Sequence, residues 1–339
     1  MIHIEDMRLE VPGFTLGPIN LEIDEGQYFV LCGPSGSGKT SLVEWTAGFR
    51  PAQSGRLLVG GTDVTAMRPA ERKLALVFQD SALFPHLSVR DNIGFSLRMA
   101  KHSPDQIRRR VDELTELLRI GHRLDALPNR ISGGEARRAA LARALALPKP
   151  VLLLDEPLSS VDPALHRDLR RELAQLHRHL GLTVIHITHS IAEARSLATE
   201  IGVLVSGALE QTGPTADVFE RPDNAVVARA LTVPNFVEGR IGPDGQSLEL
   251  EQGSIPIASG RGEGKRARLF DLKLAETAGA LTRDAELLGT EIDERGRPSA
   301  WVRLRESGIE LEIELDETLP ARDARSVHID FSESRAEFY

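Results

Sequence analysis

Apolar runs and amphipathic stretches alternate along the first two thirds of the chain. Continuous apolar runs predict buried strands at residues 29–32, 74–78, 151–154, 183–187 and 201–205. Residues 88–147 and 163–180 instead carry apolar side chains at helical spacing, which predicts amphipathic helices. Because strands that alternate with helices build parallel sheets, this part of the chain is predicted to have an α/β fold.

Turn and cap residues set the expected boundaries within this region. Short strands are predicted at residues 2–10 and 19–23, with a turn at Pro12 and Gly13 and with Phe14 in that turn. Ser103 followed by a proline is a typical helix start. We expect residues 201–205 to be the last strand of the first domain.

The pattern changes beyond about residue 233. Residues 309–315 alternate strictly between apolar and acidic side chains, which predicts a half-exposed strand. Residues 300–305 are expected to pair with it as a hairpin, and residues 266–274 and 326–331 add further strands. We therefore predict two domains, residues 1–232 with a helical subdomain at about 88–147, and an all-β barrel at 233–339.

Charge and cysteine content restrict the class of protein. The net charge is −9, and residues 233–339 hold 22 acidic and 14 basic residues, so most of the excess lies in the second domain. No basic stripe is present, and nucleic acid is therefore not an expected partner. The single cysteine, Cys32, excludes an internal disulfide. No apolar stretch is long enough to span a bilayer, and the acidic N-terminus is unlike a signal peptide, so we expect a cytoplasmic location.

One glycine-rich loop carries the first chemical signal. Residues 33–40 have the form G-x-x-x-x-G-K-[ST] and stand between a predicted strand and a predicted helix, the context that a P-loop requires. Glycines let backbone N–H groups turn towards phosphate oxygens, and the helix N-terminus adds partial positive charge. Lys39 is placed to reach the β- and γ-phosphates, and the Thr40 hydroxyl to ligate Mg²⁺. The alternative, a glycine-rich turn without a ligand, fits this spacing poorly.

Two further stretches narrow the function. The strand at residues 151–154 ends in Asp155 and Glu156, where one carboxylate can hold Mg²⁺ and the next can accept a proton from an attacking water. Solvated strand ends offer the alternative explanation. Ser132, Gly133 and Gly134 precede a predicted helix, and such a turn presents a hydroxyl and N–H groups to an anion. Alone, that turn would be an ordinary helix cap.

In this order the motifs resemble those of the ATPase subunit of an ABC transporter, over residues 1 to about 232. The family's signature is Leu-Ser-Gly-Gly-Gln, and Ile131 and Glu135 replace its first and last residues here. The resemblance implies three catalytic residues, Glu156 as base, His189 as the switch histidine and Gln79. It implies metal ligands at Thr40, Gln79 and Asp155. It places ATP on Phe14, Gly33, Pro34, Ser35, Gly36, Ser37, Gly38, Lys39, Thr40, Ser41, Ser132, Gly133, Gly134, Glu135 and Asp162.

The same resemblance implies partners and a cellular role. Two copies are expected to pair head to tail around two ATP, each completing the other's site, with Mg²⁺ as the metal. Separate transmembrane permease subunits would dock near residues 83–87, on the cytoplasmic side of the membrane, and receive cargo from a substrate-binding protein. The C-terminal region resembles the oligonucleotide-barrel-like (TOBE) domain of importer ATPases. Molybdate or tungstate is the favoured cargo. Sulfate, ferric iron, polyamines and sugars stay open as alternatives, as do a soluble ATPase of DNA repair or translation and a stand-alone metabolite sensor.

Overall fold

A computed structural model describes most of the chain. The described residues are 1–11, 13–80, 82–159, 163–243, 246–250, 253–257, 259–261, 266–270, 272–275, 282–292, 298–305, 309–314, 327–331 and 334–338. Contacts divide the chain into two compact units, Met1–Glu220 and Arg221–Tyr339. The division precedes the boundary expected after residue 232, and a short helix at Ala225–Ala230 falls between the two positions. No helix among the described residues combines the length and apolar character needed to cross a bilayer.

The first unit alternates strands and helices. Its strands are β1 (Ile2–Val11), β2 (Phe14–Ile23), β3 (Tyr28–Cys32), β4 (Ser54–Val59), β5 (Thr62–Asp63), β6 (Leu74–Val77), β7 (Val151–Asp155), β8 (Thr183–Thr188), β9 (Glu200–Val205) and β10 (Ala208–Pro214). Its helices are α1 (Lys39–Ala47), α2 (Val89–Met99), α3 (Pro104–Leu117), α4 (Gly133–Leu145), α5 (Pro163–Leu180), α6 (Ile191–Leu197) and α7 (Thr215–Glu220).

The central sheet follows the order β10-β9-β3-β8-β7-β6. All neighbouring strands from β9 to β6 run parallel, and only β10 is antiparallel to β9. Every residue of β3, β7 and β8 is buried, as expected for strands that are covered on both faces. The predicted α/β fold with a largely parallel sheet is confirmed. The prediction that residues 201–205 form the last strand is wrong, because β10 returns beside β9 and α7 follows.

A second, antiparallel sheet has the order β2-β1-β4-β5. β2 begins at Phe14 rather than in a turn, since Val11 and Phe14 are paired across the hairpin. Buried residues of β1 and β2, such as Ile4, Leu9 and Leu21, enter one core with the buried face of α1 and with β3. This core supports the loop between β3 and α1 from beneath.

The predicted helical subdomain is present as α2, α3 and α4, which pack on one another. Ser103 caps α3 through a capping box with Gln106, as the Ser-Pro pair indicates. The buried side chain of Asn92 exchanges hydrogen bonds with the backbone of Phe84 and also donates to the carbonyl oxygens of Leu87 and Ser88. Asn92 therefore fixes the path of the loop that precedes α2.

The regular elements among the described residues of the second unit are strands apart from α8 (Ala225–Ala230), which confirms the predicted β domain. Its strands are β11 (Phe236–Ile241), β12 (Ser247–Leu250), β13 (Gly253–Pro256), β14 (Ser259–Arg261), β15 (Arg266–Phe270), β16 (Lys273–Ala275), β17 (Thr282–Ile292), β18 (Pro298–Leu304), β19 (Glu310–Glu314), β20 (Val327–Asp330) and β21 (Arg335–Phe338). In the described part they form two sheets, β13-β12-β11-β15-β21-β14 and β16-β20-β17-β18-β19. The predicted pairing of β18 with β19 is present. The strand expected over residues 266–274 is divided into β15 and β16.

A buried arginine closes the C-terminal end of α1. Arg72 is 5% exposed, and its guanidinium donates to the carbonyl oxygens of Trp45, Thr46, Thr65 and Met67 at 2.7–3.0 Å. A helix end leaves its last carbonyl groups without intrahelical partners, and this side chain satisfies two of them.

We expect Arg72→Leu to destabilise the first unit by about 2–4 kcal/mol, because several buried carbonyl groups lose their donor. Denaturation followed by the fluorescence of Trp45, in a Trp301→Phe background, measures the change. The matched control is Arg50→Leu, which breaks the half-exposed pair with Glu44 at 2.9 Å and should cost less than about 1 kcal/mol. Equal losses in the two variants would contradict this role for Arg72.

Candidate functional site

The P-loop connects β3 to α1. Gly36 and Gly38 have φ of +79° and +104°, a left-handed conformation that glycine adopts without strain. The first turn of α1 begins at Lys39, so Thr40 and Ser41 lie at the helix N-terminus beside the loop. The loop and the helix N-terminus together form an anion site of the kind predicted.

Lys39 is folded onto the loop itself. It is 5% exposed, and its Nζ donates to the carbonyl oxygens of Gly33 at 2.8 Å and Pro34 at 2.9 Å. Burial lowers the pKa of its ammonium group, and the nearby Glu156 and Asp155 carboxylates oppose that effect. The lysine is therefore held at the loop by backbone acceptors that a phosphate can replace.

Phe14 lies against the same loop. A Cβ atom added to Gly38 would come within 3.4 Å of the Phe14 ring, and one added to Gly207 within 2.8 Å. The ring also packs on the core beneath the P-loop. The structure thus brings Phe14 to the edge of the loop, where its role in adenine stacking stays a prediction.

Asp155 ends β7 with a buried carboxylate. It is 6% exposed, and among the described residues its Oδ1 has no hydrogen-bond partner. Burial, reinforced by the charges of Glu156 and Glu44, raises the pKa of Asp155 to about 6. A buried oxygen ligand without a partner fits a hard divalent cation such as Mg²⁺.

Glu156 is held in an uncommon conformation directly after this strand. Its φ is +43°, a region that side chains with a Cβ rarely adopt, and its N–H donates to the carbonyl oxygen of Ile187 at 3.0 Å. Its Oε1 lies 3.2 Å from His189 Nδ1, and its Oε2 lies 3.5 Å from Gln79 Nε2. The structure therefore gathers the three predicted catalytic residues into one cluster, and strained backbone is typical of functional positions.

Arg137, which the sequence did not single out, ties this cluster to α4. Its guanidinium donates to the carbonyl oxygens of Phe78 at 2.7 Å and Glu156 at 3.2 Å, and the side chain is 5% exposed. It connects the helix that follows the Ser-Gly-Gly turn with the backbone at Gln79 and Glu156. The sequence of α4 gives no signal of this contact, because the acceptors come from two other elements.

The Ser132-Gly133-Gly134 turn caps α4 as predicted, with Glu135 completing a capping box. The Glu135 carboxylate accepts from the N–H of Ser132 at 2.8 Å and from Arg123 Nε at 2.8 Å, and it lies 3.0 Å from His122 Nε2. The Arg123 bond and the Ser132 N–H lower the pKa of Glu135 to about 2. The pairing of ionised Glu135 stabilises the turn at pH values above the ordinary glutamate pKa of 4.5. This contribution is lost as the pH falls from there towards about 2.

Comparison with known proteins settles the family. Residues 16–159 match the sequence model of the family described as ABC transporter. The molybdate/tungstate import ATP-binding protein WtpC of Thermococcus kodakarensis is 41% identical over 239 residues, covering 70% of this chain and 72% of the relative. The chain belongs to the ABC transporter family of ATPases. WtpC of Pyrococcus abyssi is 36% identical over 347 residues, covering 98% of each chain.

A solved ABC cassette supports the same assignment. A dimeric structure of MJ0796, described as a post-hydrolysis state bound to ADP and Pi, superimposes with a TM-score of 0.57 at 26% identity. The match covers 63% of this ABC ATPase and 99% of MJ0796. The structural similarity therefore extends over almost the whole length of the MJ0796 cassette. Asp162, predicted to contact ATP, lies outside the described residues of this ABC ATPase.

We expect Asp155→Asn to stabilise the ATPase unit at pH 8 by up to about 3 kcal/mol, since a raised carboxyl pKa means that burying the ionised group is unfavourable. At low pH the Asp155 carboxyl is protonated and does not destabilise the folded state. The destabilisation develops as the pH rises through about 6, where the buried carboxyl ionises. The gain should therefore shrink at pH 5.5. Thermal unfolding of nucleotide-free protein measures it, with the exposed Asp24→Asn as control. Destabilisation by Asp155→Asn at pH 8 would show that the carboxylate is satisfied by contacts within the protein.

Proposed function

We propose that this chain is the ATP-hydrolysing subunit of a membrane importer for an oxyanion, molybdate or tungstate. The observation that carries the proposal is the extent of the similarity to WtpC of Pyrococcus abyssi, which includes both units of the chain. ATP-binding proteins for sulfoquinovosyl glycerol and for maltose/maltodextrin match only 71% and 66% of the chain. A full-length relative is the better guide to cargo, because ATPase domains are shared among importers of many solutes.

Each residue of the site then has a role. The P-loop residues Gly33–Thr40, with Ser41, surround the phosphates through backbone N–H groups, and Lys39 exchanges its carbonyl acceptors for phosphate oxygens. Thr40, Gln79 and Asp155 would hold Mg²⁺, which neutralises charge on the phosphates when bound. Phe14 stacks on adenine at the edge of the loop.

Hydrolysis depends on the cluster around Glu156. Its carboxylate takes a proton from the attacking water, and the neighbouring Gln79 orients that water. His189, now 3.2 Å from Glu156, moves onto the γ-phosphate when nucleotide enters. General-base catalysis of this kind contributes about 10²–10⁴-fold to a rate.

A second copy supplies the rest of each site. In a head-to-tail dimer, Ser132, Gly133 and Gly134 of one copy face the nucleotide on the P-loop of the other, and the predicted contact of Asp162 with ATP belongs to the same proposal. The capping box uses the N–H groups of Ser132 and Glu135 and holds the turn so that the N–H groups of Gly133 and Gly134 can face an anion. Glu135 would put a negative charge beside the phosphates, and its pairing with Arg123 offsets that charge.

The permease docks on the cytoplasmic side, beside Gln79. Phe49 and Phe78 are 57% and 40% exposed, and their rings lie 5.8 Å apart, so they form an apolar surface next to that residue. Asn92 fixes the adjoining loop at residues 84–88. A substrate-binding protein delivers the oxyanion.

Residues 233–339, the strand-rich part of the second unit, act as a TOBE-like regulatory domain.

A dimerisation assay tests the ATPase mechanism. Glu156→Gln should bind ATP and accumulate as a dimer on size exclusion, with turnover reduced at least roughly 100-fold because the base is lost. Adding Ser132→Arg, which blocks the partner's contact, should return the protein to a monomer that still binds ATP. Adding Arg109→Glu, an exposed change on α3, is the control and should leave the dimer intact. A Glu156→Gln chain that stays monomeric with normal turnover would contradict both roles.

Copurification tests the cargo. The tagged chain, isolated from native membranes, should bring down a permease subunit, and the substrate-binding protein of that system should bind molybdate or tungstate at least tenfold more tightly than sulfate in calorimetry. Selective binding of a sugar, a polyamine or ferric iron would instead favour the corresponding importer.

A further inference from the structure

Three buried polar side chains form a polar network beneath the switch histidine. Tyr28 on β3, His186 on β8 and Glu193 on α6 are 1%, 0% and 4% exposed. The Tyr28 hydroxyl lies 3.0 Å from His186 Nδ1, and His186 Nε2 lies 3.1 Å from Glu193 Oε2. None of the three belongs to the proposed ATP site.

This polar network reaches the backbone that flanks His189. The Thr188 side chain lies beside the Glu193 carboxylate and helps to lower its pKa. Thr188 Oγ1 in turn accepts from the N–H of Ser190 at 3.0 Å, and the N–H of Glu193 donates to Ser190 Oγ at 3.3 Å. Thr188 and Ser190, on either side of His189, are therefore linked to Glu193, Thr188 through the carboxylate and Ser190 through the backbone N–H of Glu193 and through Thr188 Oγ1.

Strand register connects this point to the rest of the site. Thr188 is paired with Cys32, which directly precedes the P-loop, and Ile187 is paired with Asp155. Tyr28 lies on the strand that enters the P-loop. A displacement of the loop after β8 would therefore move His189 relative to both the P-loop and Glu156.

The Glu193 carboxylate is buried and is stabilised by its closeness to His186, 3.1 Å away, without a well-aligned hydrogen bond between the two. Burial alone would raise the pKa of Glu193, yet the neighbouring His186 and Thr188 side chains and the nearby charge of His166 leave it below its ordinary value. Tyr28 is also packed by the ring of His177 at 5.2 Å. A buried carboxylate is costly unless its partners are all present, and apolar replacements are often as stable. Packing alone therefore gives little reason for this network of side chains to be polar.

We propose that Glu193 is a positioning residue for His189, with Tyr28 and His186 holding its carboxylate in place. The inference rests on the proposed ATPase function, because it concerns the placement of that function's switch histidine. Glu193 does not touch the nucleotide. It sets where the 188–190 backbone presents the imidazole.

Kinetics of Glu193→Gln test this role. Turnover should fall roughly 10- to 100-fold, as expected for a catalytic group misplaced by about 1 Å, while ATP affinity stays within about twofold of wild type. Tyr28→Phe should cause a smaller loss in the same direction. Thr46→Val is the control, since it removes another buried hydrogen bond, to the carbonyl oxygen of Leu42, away from this loop. It should leave turnover unchanged.

A double-variant cycle separates positioning from a general structural effect. On a His189→Ala background, Glu193→Gln should cause no further loss of turnover, because it acts through the missing imidazole. The proposal would be overturned if the losses of turnover of the two single variants multiplied in the double variant. Wild-type turnover in Glu193→Gln alone would also overturn it.

Hydrogen exchange supplies a readout that does not need activity. The Ser190 amide should exchange faster in Glu193→Gln and in Tyr28→Phe, but not in Thr46→Val. Unchanged exchange at Ser190 would overturn the proposal even if turnover fell. By contrast, a wild-type chain without ATPase activity would contradict the proposed function, and the exchange result would still decide the role of Glu193.

Discussion

The register of three parallel strands is the constraint on which the site depends. β3, β7 and β8 are neighbours, and each ends at the same edge of the sheet. Because parallel strands present their carboxyl ends together, the P-loop, the Asp155–Glu156 pair and His189 meet without any of them being close in sequence. The complete burial of the strands fixes this register, since a slip would place the loops out of reach of one another.

Electrostatic balance is the second constraint. An anion site that contains two adjacent carboxylates is unfavourable until a cation and phosphates enter, and the raised pKa of Asp155 expresses this. Lys39 and Arg137 are buried nearby, and both carry hydrogen bonds to backbone carbonyl groups. The site is therefore organised around charges that the protein only partly offsets.

Much of the fold and of the site could be predicted from local pattern. The buried strands, the helix that Ser103 caps and the P-loop follow from runs of five to fifteen residues, where composition determines conformation. Glu156, His189 and Gln79 were singled out by the family resemblance, and the structure places them in one cluster, while their catalytic roles stay predictions. Asp162 lies outside the described residues, and its role stays a prediction.

Contacts between distant segments could not be predicted in this way. Tyr28 and His186 are 158 residues apart, and their hydrogen bond depends on the strand order of the sheet. The pairing of Glu135 with Arg123 depends on how a turn ahead of α4 packs against it. Edge strand β10 and the two sheets of the second unit were likewise missed, because strand pairing in short polar segments depends on neighbours and not on the segment itself.

The central claim is that one chain cannot complete an ATP site without a second copy. Specific ATPase activity, measured over a dilution series alongside the mass distribution in solution, tests this most directly. The account predicts that turnover per chain falls as dimers dissociate and approaches zero for the monomer. Turnover per chain that stays constant when the protein is wholly monomeric would contradict it.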